Sequence, residues 1–331
     1  MHTFCTLFNS RYLSRGIEMY LSLERVSRDF ILYVFAFDQI TYDILKAKNY
    51  PKLRVISLEE FEDDQLILAK RNRNDREYCW TCASSTIHYV LNRDTSISSC
   101  TYLDADMIFY SDPTALLDTY QSGDHSAIIT PHRYAPRYDE SHLSGIYCVQ
   151  WVTIFNNPQG LEVIKWWRQS CLDWCYDRYE DGKFGDQKYL DDWLTRFKGV
   201  VSLGHPGAGL APWNLIRYSY TDQGDSVKIN ESHGAPEVDL IFFHYHGFIL
   251  SDPANFVCSS KKYWIPKSIK EKFYTPYAQL LYQREKELSQ HHSSYSMLGL
   301  ASYRDLMKKK WLKGHIAFIR CNVLYPLIHL F

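Results

Sequence analysis

Short, nearly unbroken apolar runs mark the first 135 residues, at 3–8, 31–37, 53–58, 100–103 and 126–130. Runs of that length without polar alternation predict parallel strands buried on both faces. Between the first two, Leu13, Ile17, Leu21 and Leu23 to Val26 recur at helical spacing. Between the third and fourth, Trp80, Ala83, Ile87 and Val90 or Leu91 do the same, with Asn74-Asp75 as the N-cap. Strand and helix in turn predict a doubly wound α/β sheet, which gathers ligands beyond the carboxyl ends of its strands. From 149 the pattern changes. Residues 149–155 alternate like a half-exposed strand, and 159–178 predict a helix with Leu161, Ile164, Trp167, Cys171 and Trp174 on one face. A helix over 186–197 follows, then strands at 200–203 and 240–246 and a long amphipathic helix over 267–290. Neither an internal repeat nor a low-complexity linker breaks the chain.

Composition adds that the 331 residues, 46% hydrophobic and 23% charged, suffice for a large core. The reading is one α/β domain over 1–255 and a helical extension over 256–331. A net charge of −1 offers no basic field for nucleic acid. Charge is uneven, however: the last 31 residues carry Arg304, Lys308, Lys309, Lys310, Lys313 and Arg320 against Asp305 alone. Nine scattered cysteines suit a reducing, cytoplasmic compartment. Cys79 and Cys82 lie inside a predicted helix, so buried thiols are favoured over redox chemistry, or over a zinc site shared with Cys171 and Cys175. Met1 leads straight into the first strand without a signal peptide, and nowhere do 18 apolar residues run together.

Candidate chemistry begins at residues 101–113, "TYLDADMIFYSDP". In extended chain, side chains at i and i+2 point the same way, so Asp104 and Asp106 present two carboxylates to one point where a strand ends. Two charges that close call for a cation; the bland alternative is an acidic turn. Two further stretches converge on the same chemistry: "FGDQKYLDDW" with "GAGLAPWN", and "FFHYHGF", a strand ending in His244-Tyr245-His246-Gly247.

Taken in order, these motifs resemble the metal-dependent GT-A glycosyltransferases, and most closely the retaining, family-8-like nucleotide-diphospho-sugar transferases. The likeness spans roughly 3–250. The resemblance implies a GT-A fold, a Rossmann-like doubly wound mixed sheet, and transfer of a hexose from a UDP-sugar to a hydroxyl of a glycan or lipid-linked glycan, as in lipopolysaccharide or other surface-glycan assembly. It implies Asp104, Asp106 and His244 as ligands of Mn²⁺ or Mg²⁺, the imidazole favouring Mn²⁺. It places Phe8, Asn9, Tyr12, Ala105, Gln150, Trp213, Asn214 and Gly247 at the donor, and Asp186 and Gln187 at the transferred sugar. Retention follows from the likeness alone; Asp186 as a base would suit inversion, so the stereochemistry stays open.

Each assignment has a plainer counterpart. The plainer readings are Asp186 as a helix N-cap, Trp213-Asn214 as core and turn, and Lys70, Arg73 and Arg76 as solvated rather than phosphate-bound. Only one of His244 and His246 can face a metal on a strand. The basic residue, Pro and Trp that often follow His-x-x-G in this group are replaced by "FILSDP", and Tyr147-Cys148-Val149-Gln150 stands where many members carry Phe-Asn-x-Gly entering the middle strand. A nucleotidyltransferase fits the sheet but wants a Gly-rich basic loop, and "FNSRYLSRG" has only Gly16. A non-catalytic sugar-nucleotide binder is the third reading. In the tail, 303–331, Lys309, Lys313 and Arg320 share one helical face and Met307, Trp311 and Phe318 the other, the pattern of a segment lying on an anionic membrane, peripheral at its inner face.

Overall fold

The computed structural model describes residues 1–121, 123–224, 226–231, 236–260, 262–302 and 304–306. It divides into two compact units, Met1–His244 and Tyr245–Phe331. The basic amphipathic face assigned to the tail lies outside the described residues.

The first unit is built on a seven-stranded mixed sheet. In spatial order its strands are Leu53–Ser57, Phe30–Ala36, His2–Phe8, Ser99–Leu103, Tyr147–Phe155, Ala127–Pro131 and Val200–Ser202. All run parallel except Tyr147–Phe155, which pairs antiparallel with both neighbours. The doubly wound α/β sheet read from the sequence is therefore present. From His2–Phe8 the chain winds outward to one side through Phe30–Ala36 and Leu53–Ser57. It then returns to pair Ser99–Leu103 against the other side of His2–Phe8. That reversal is a topological switch point, where a crevice opens at the carboxyl ends of the strands.

The strand at 149–155 departs from expectation. It begins at Tyr147 and is buried along its length up to Ile154, rather than half exposed. Its polar members are absorbed by neighbours: Thr153 Oγ1 lies 2.8 Å from Thr101 Oγ1 and accepts the Trp151 indole N–H at 3.1 Å. Alternation arose from two different buried faces, not from solvent.

A second sheet, of Met107–Phe109, Phe242–His244 and Ala208–Leu210, continues from the first. Trp151 joins the two: its ring stacks on Phe242 with centroids 5.5 Å apart and meets Phe4 and Phe109 edge-on. Truncating such a fully buried aromatic costs roughly 3–5 kcal/mol, so the strand carrying His244 rests on a stiff floor. The helix Leu13–Val26 grips the neighbouring strand, with Phe109 N–H donating to Ser22 Oγ at 3.0 Å and Arg25 donating to Phe109 O at 3.0 Å.

The helix Asp75–Arg93 starts at an Asn74 capping box closed by Glu77, as its sequence predicts. The helix read over 159–178 is Pro158–Asp173 and stops sooner, with Trp174 already extended. Over 186–197 the single helix is instead a 3-10 turn, Lys188–Asp192, and a short helix, Trp193–Arg196; Asp186 caps neither.

In the second unit, the helix read over 267–290 is broken into Lys267–Ile269, a π-helical turn Lys270–Tyr274, and Thr275–His291. Pro276 has no N–H to give the preceding turn, and the wider turn accommodates its ring. Tyr245 stacks on Tyr277 of that helix at 3.8 Å, and Glu285, fully buried, accepts Tyr295 O–H at 2.9 Å.

Candidate functional site

Strand register assembles the site. Met107 pairs with His244 in the antiparallel half of the small mixed sheet, so the residue before Met107 and the last residue of Phe242–His244 end side by side. Asp104 is fixed one step earlier, its backbone N–H donating to Gln150 O at 3.2 Å. His244 Nε2 thus lies 3.0 Å from Asp106 Oδ1 and 3.6 Å from Asp104 Oδ2. One donor atom from each of the three falls within 4.8 Å of the others. This is the one group of His, Cys, Asp and Glu side chains so arranged among the described residues. Asp104, Asp106 and His244 can therefore hold a cation together. Cys79, Cys82, Cys171 and Cys175 form no such group, and burial pushes the Cys79 thiol up to about 12.

Electrostatics fit a missing positive charge. Burial pushes the Asp104 carboxyl up to about 6; His244 pulls it down and Asp106 pushes it up further. His244 would lose its proton to burial, but the Asp106 carboxylate reverses this and holds the imidazole well above its ordinary value. Behind the ring, His244 Nδ1 lies 2.7 Å from Gln150 Oε1, and Trp213 meets it edge-on at 5.5 Å.

The corner after the first strand lies at the same end of the sheet, next to Asp104 across the switch point. Asn9 caps the 3-10 turn Ser10–Tyr12 by accepting the Arg11 N–H. The Tyr12 phenol is pushed up by burial and by the Asp106 charge, although the residue as a whole is 42% exposed; Arg15 lies over its ring at 4.9 Å. Phe8, the strand's last residue, and Ala105 are buried. Asp186 is buried as well, and burial first, then Asp104, holds its carboxyl well above the usual range.

Other expected residues are otherwise engaged. Gln187 donates its amide to Ser144 O at 2.7 Å. Asn214 ties down its own turn, accepting Ala211 N–H and donating to His132 O and Gly209 O, so both of its amide protons are spent on backbone. Arg76 pairs with Asp177 at 2.7 Å, Lys70 with Glu62 at 2.7 Å, and Arg73 stacks on Tyr176. His246 lies beyond the strand's end and is exposed, while His244 is buried. Gly247, with φ +71°, belongs to the second unit.

Two features escaped the sequence reading. Asp38 follows Phe30–Ala36 and accepts both Ser10 N–H and Thr41 N–H at 2.8 Å. Burial pushes its carboxyl up, but these bonds outweigh it and hold the group below its ordinary value. Its signal was an Asp three residues before Thr41 at a strand end, an N-cap pattern. An aromatic wall of His132, Tyr134 and Trp213 flanks His244, with His132 stacked on Tyr134 at 4.6 Å. No spacing in the sequence announced it.

No model of a known protein family matches the chain. Two curated proteins of Bacillus subtilis (strain 168) are similar in sequence. Uncharacterized protein YfnD is 30% identical over 250 residues, 75% of this chain and 78% of that protein. Uncharacterized protein YfnF is 27% identical over 253 residues, 74% of this chain and 81% of that protein. Among solved structures, the chain is similar to the galactosyltransferase LgtC in complex with donor and acceptor sugar analogues. That match has 14% identity, spans 73% of this chain and 86% of LgtC, and has a TM-score of 0.47. Mouse xyloside xylosyltransferase 1 is similar at 12% identity over 61% of this chain and 84% of its own, with a TM-score of 0.40. Both overlaps are partial, and the chemistry has to be read from the site itself.

Proposed function

This chain belongs to the family that includes YfnD of Bacillus subtilis, and we propose that it is a metal-dependent glycosyltransferase. It moves a hexose from a UDP-sugar to a hydroxyl of a glycan acceptor, lipid-linked in surface-glycan assembly. The observation that carries the proposal is the Asp104–Asp106–His244 cluster standing at the switch point, beside the corner after the first strand.

The donor set fits a divalent cation. Two carboxylates and one imidazole within 4.8 Å, the imidazole already hydrogen-bonded on its far nitrogen, suit Mn²⁺ better than Mg²⁺. When bound, such an ion offsets the charge of a diphosphate leaving group. The chain's own residues do the rest. Asn9 and Tyr12 receive base and ribose, with Phe8 behind them. Asp186 and Gln187 face the transferred sugar, Gln187 exchanging its bond to Ser144 O for a sugar hydroxyl. Trp213 covers the imidazole and keeps water from that side. Burial and the Asp104 charge favour the protonated form of the Asp186 carboxyl, in which it donates a hydrogen bond rather than taking a proton. That supports retention over inversion.

Thermal melting with UDP and Mn²⁺, followed by assay of UDP release from a panel of UDP-sugars, tests the reading. The expected outcome is a raised melting temperature and slow UDP release, both lost in Asp106→Asn although its fold is intact. No shift and no release with any UDP-sugar, or full activity in EDTA, overturns it.

A further inference from the structure

Gln150 sits at a place where a core strand should carry an apolar residue. It is fully buried, in the strand Tyr147–Phe155. Pairing with Ala127–Pro131 breaks around it: Ile129 faces Val152, and the next residue, Thr130, faces Cys148. The irregularity takes Val149, Gln150 and Trp151 out of the ladder on that side, which is how a bulge re-aims a side chain. The room comes from Gly209, at φ +117°, where a Cβ would lie 3.1 Å from Gln150 Nε2.

The residue then holds two members of the Asp104–Asp106–His244 cluster at once. Its backbone oxygen accepts the Asp104 N–H at 3.2 Å, and its amide oxygen lies 2.7 Å from His244 Nδ1. Its Nε2 has no hydrogen-bond partner. A buried amide with one end unsatisfied is a poor core residue, and packing alone gives no reason for it.

We propose that Gln150 is a positioning residue of the metal centre: its amide oxygen accepts the His244 Nδ1–H and thereby commits Nε2 to the cation. The inference rests on the metal-dependent reading above. Neutral imidazole carries one proton, and the hydrogen bond at one nitrogen decides which nitrogen is left to bind metal. An amide oxygen holds that proton without being able to take it. It also adds no third negative charge behind Asp104 and Asp106, which a carboxylate here would do.

Two measurements on the full chain test this. The first is titration with Mn²⁺ alone, read by electron paramagnetic resonance of the free ion, for wild type, Gln150→Met and Gln150→Glu. Met fills the same space without an acceptor; Glu restores the acceptor at the cost of a buried charge. The expected result is a 10–100-fold weaker affinity in Gln150→Met with unchanged near-ultraviolet dichroism, and binding recovered in Gln150→Glu. A residue needed only for packing would give the opposite order. The second is nitrogen-15 spectroscopy of the histidine rings in the metal-free wild type. Nδ1 of His244 should carry a proton protected from exchange, and Gln150→Met should lose that protection. Equal Mn²⁺ affinity in wild type and Gln150→Met, or an Nδ1 without a proton, overturns the inference. Wild type that binds no Mn²⁺ overturns the proposed activity instead, and the ring measurement still decides whether Gln150 holds the Nδ1 proton.

Discussion

At Asp104 burial and the Asp106 carboxylate favour the protonated acid, and His244 and a hydrogen bond from Tyr102 oppose them without reversing the balance. The folded value, about 6, lies above the ordinary 3.8, so this group's contribution is most favourable at low pH. It is lost as pH rises from about 4 through about 6. Metal-free Asp104→Asn should therefore gain stability relative to wild type across that window, by on the order of 1 to 3 kcal/mol. Denaturant melts in EDTA at pH 4 and pH 7 check it; a constant difference between the two proteins would contradict it. Single residues differed in how legible they were. Asp104 and Asp106 announced themselves, because two acids at i and i+2 in extended chain must point together whatever surrounds them. Gln150 was singled out only through the resemblance, and its hold on His244 was not legible because it depends on a bulge; Asp38 was not singled out, because its bonds come from a turn after a different strand.

Elements fared similarly. Strands buried on both faces leave an unmistakable apolar run, and a helix with a full capping box declares its own start. Segments whose polar residues face the site were harder. Residues 186–197 have helical composition, yet Gly185 at φ +53° and a buried Asp186 turn the chain before Lys188, and only a 3-10 turn follows. The break leaves Asp186 buried and Gln187 bonded to Ser144 O instead of placing both on a regular helix. If Gln187 stands beside the transferred sugar, Gln187→Ala lowers kcat at least tenfold and leaves UDP affinity within about twofold. Equal losses in turnover and UDP binding, by steady-state kinetics and calorimetry, would assign it to the nucleotide instead.

For the whole molecule, length and composition allowed the α/β sheet but could not set where the chain divides, because the compact unit ends at His244, inside what reads as one strand. The described residues contain no helix long and apolar enough to cross a membrane. We propose that the basic tail at 303–331 carries membrane attachment, each Lys or Arg near an anionic surface contributing about 1 kcal/mol. The full chain should float with anionic vesicles at low salt and a chain ending at Ser302 should not; equal behaviour of the two would make the acceptor a soluble glycan. The central claim is narrower, that one cation joins Asp104, Asp106 and His244 to the diphosphate. Anomalous diffraction at the manganese edge from crystals grown with UDP and Mn²⁺ tests it most directly. One strong peak in contact with those three side chains and both phosphates is the predicted result; bound UDP with no peak there would contradict it.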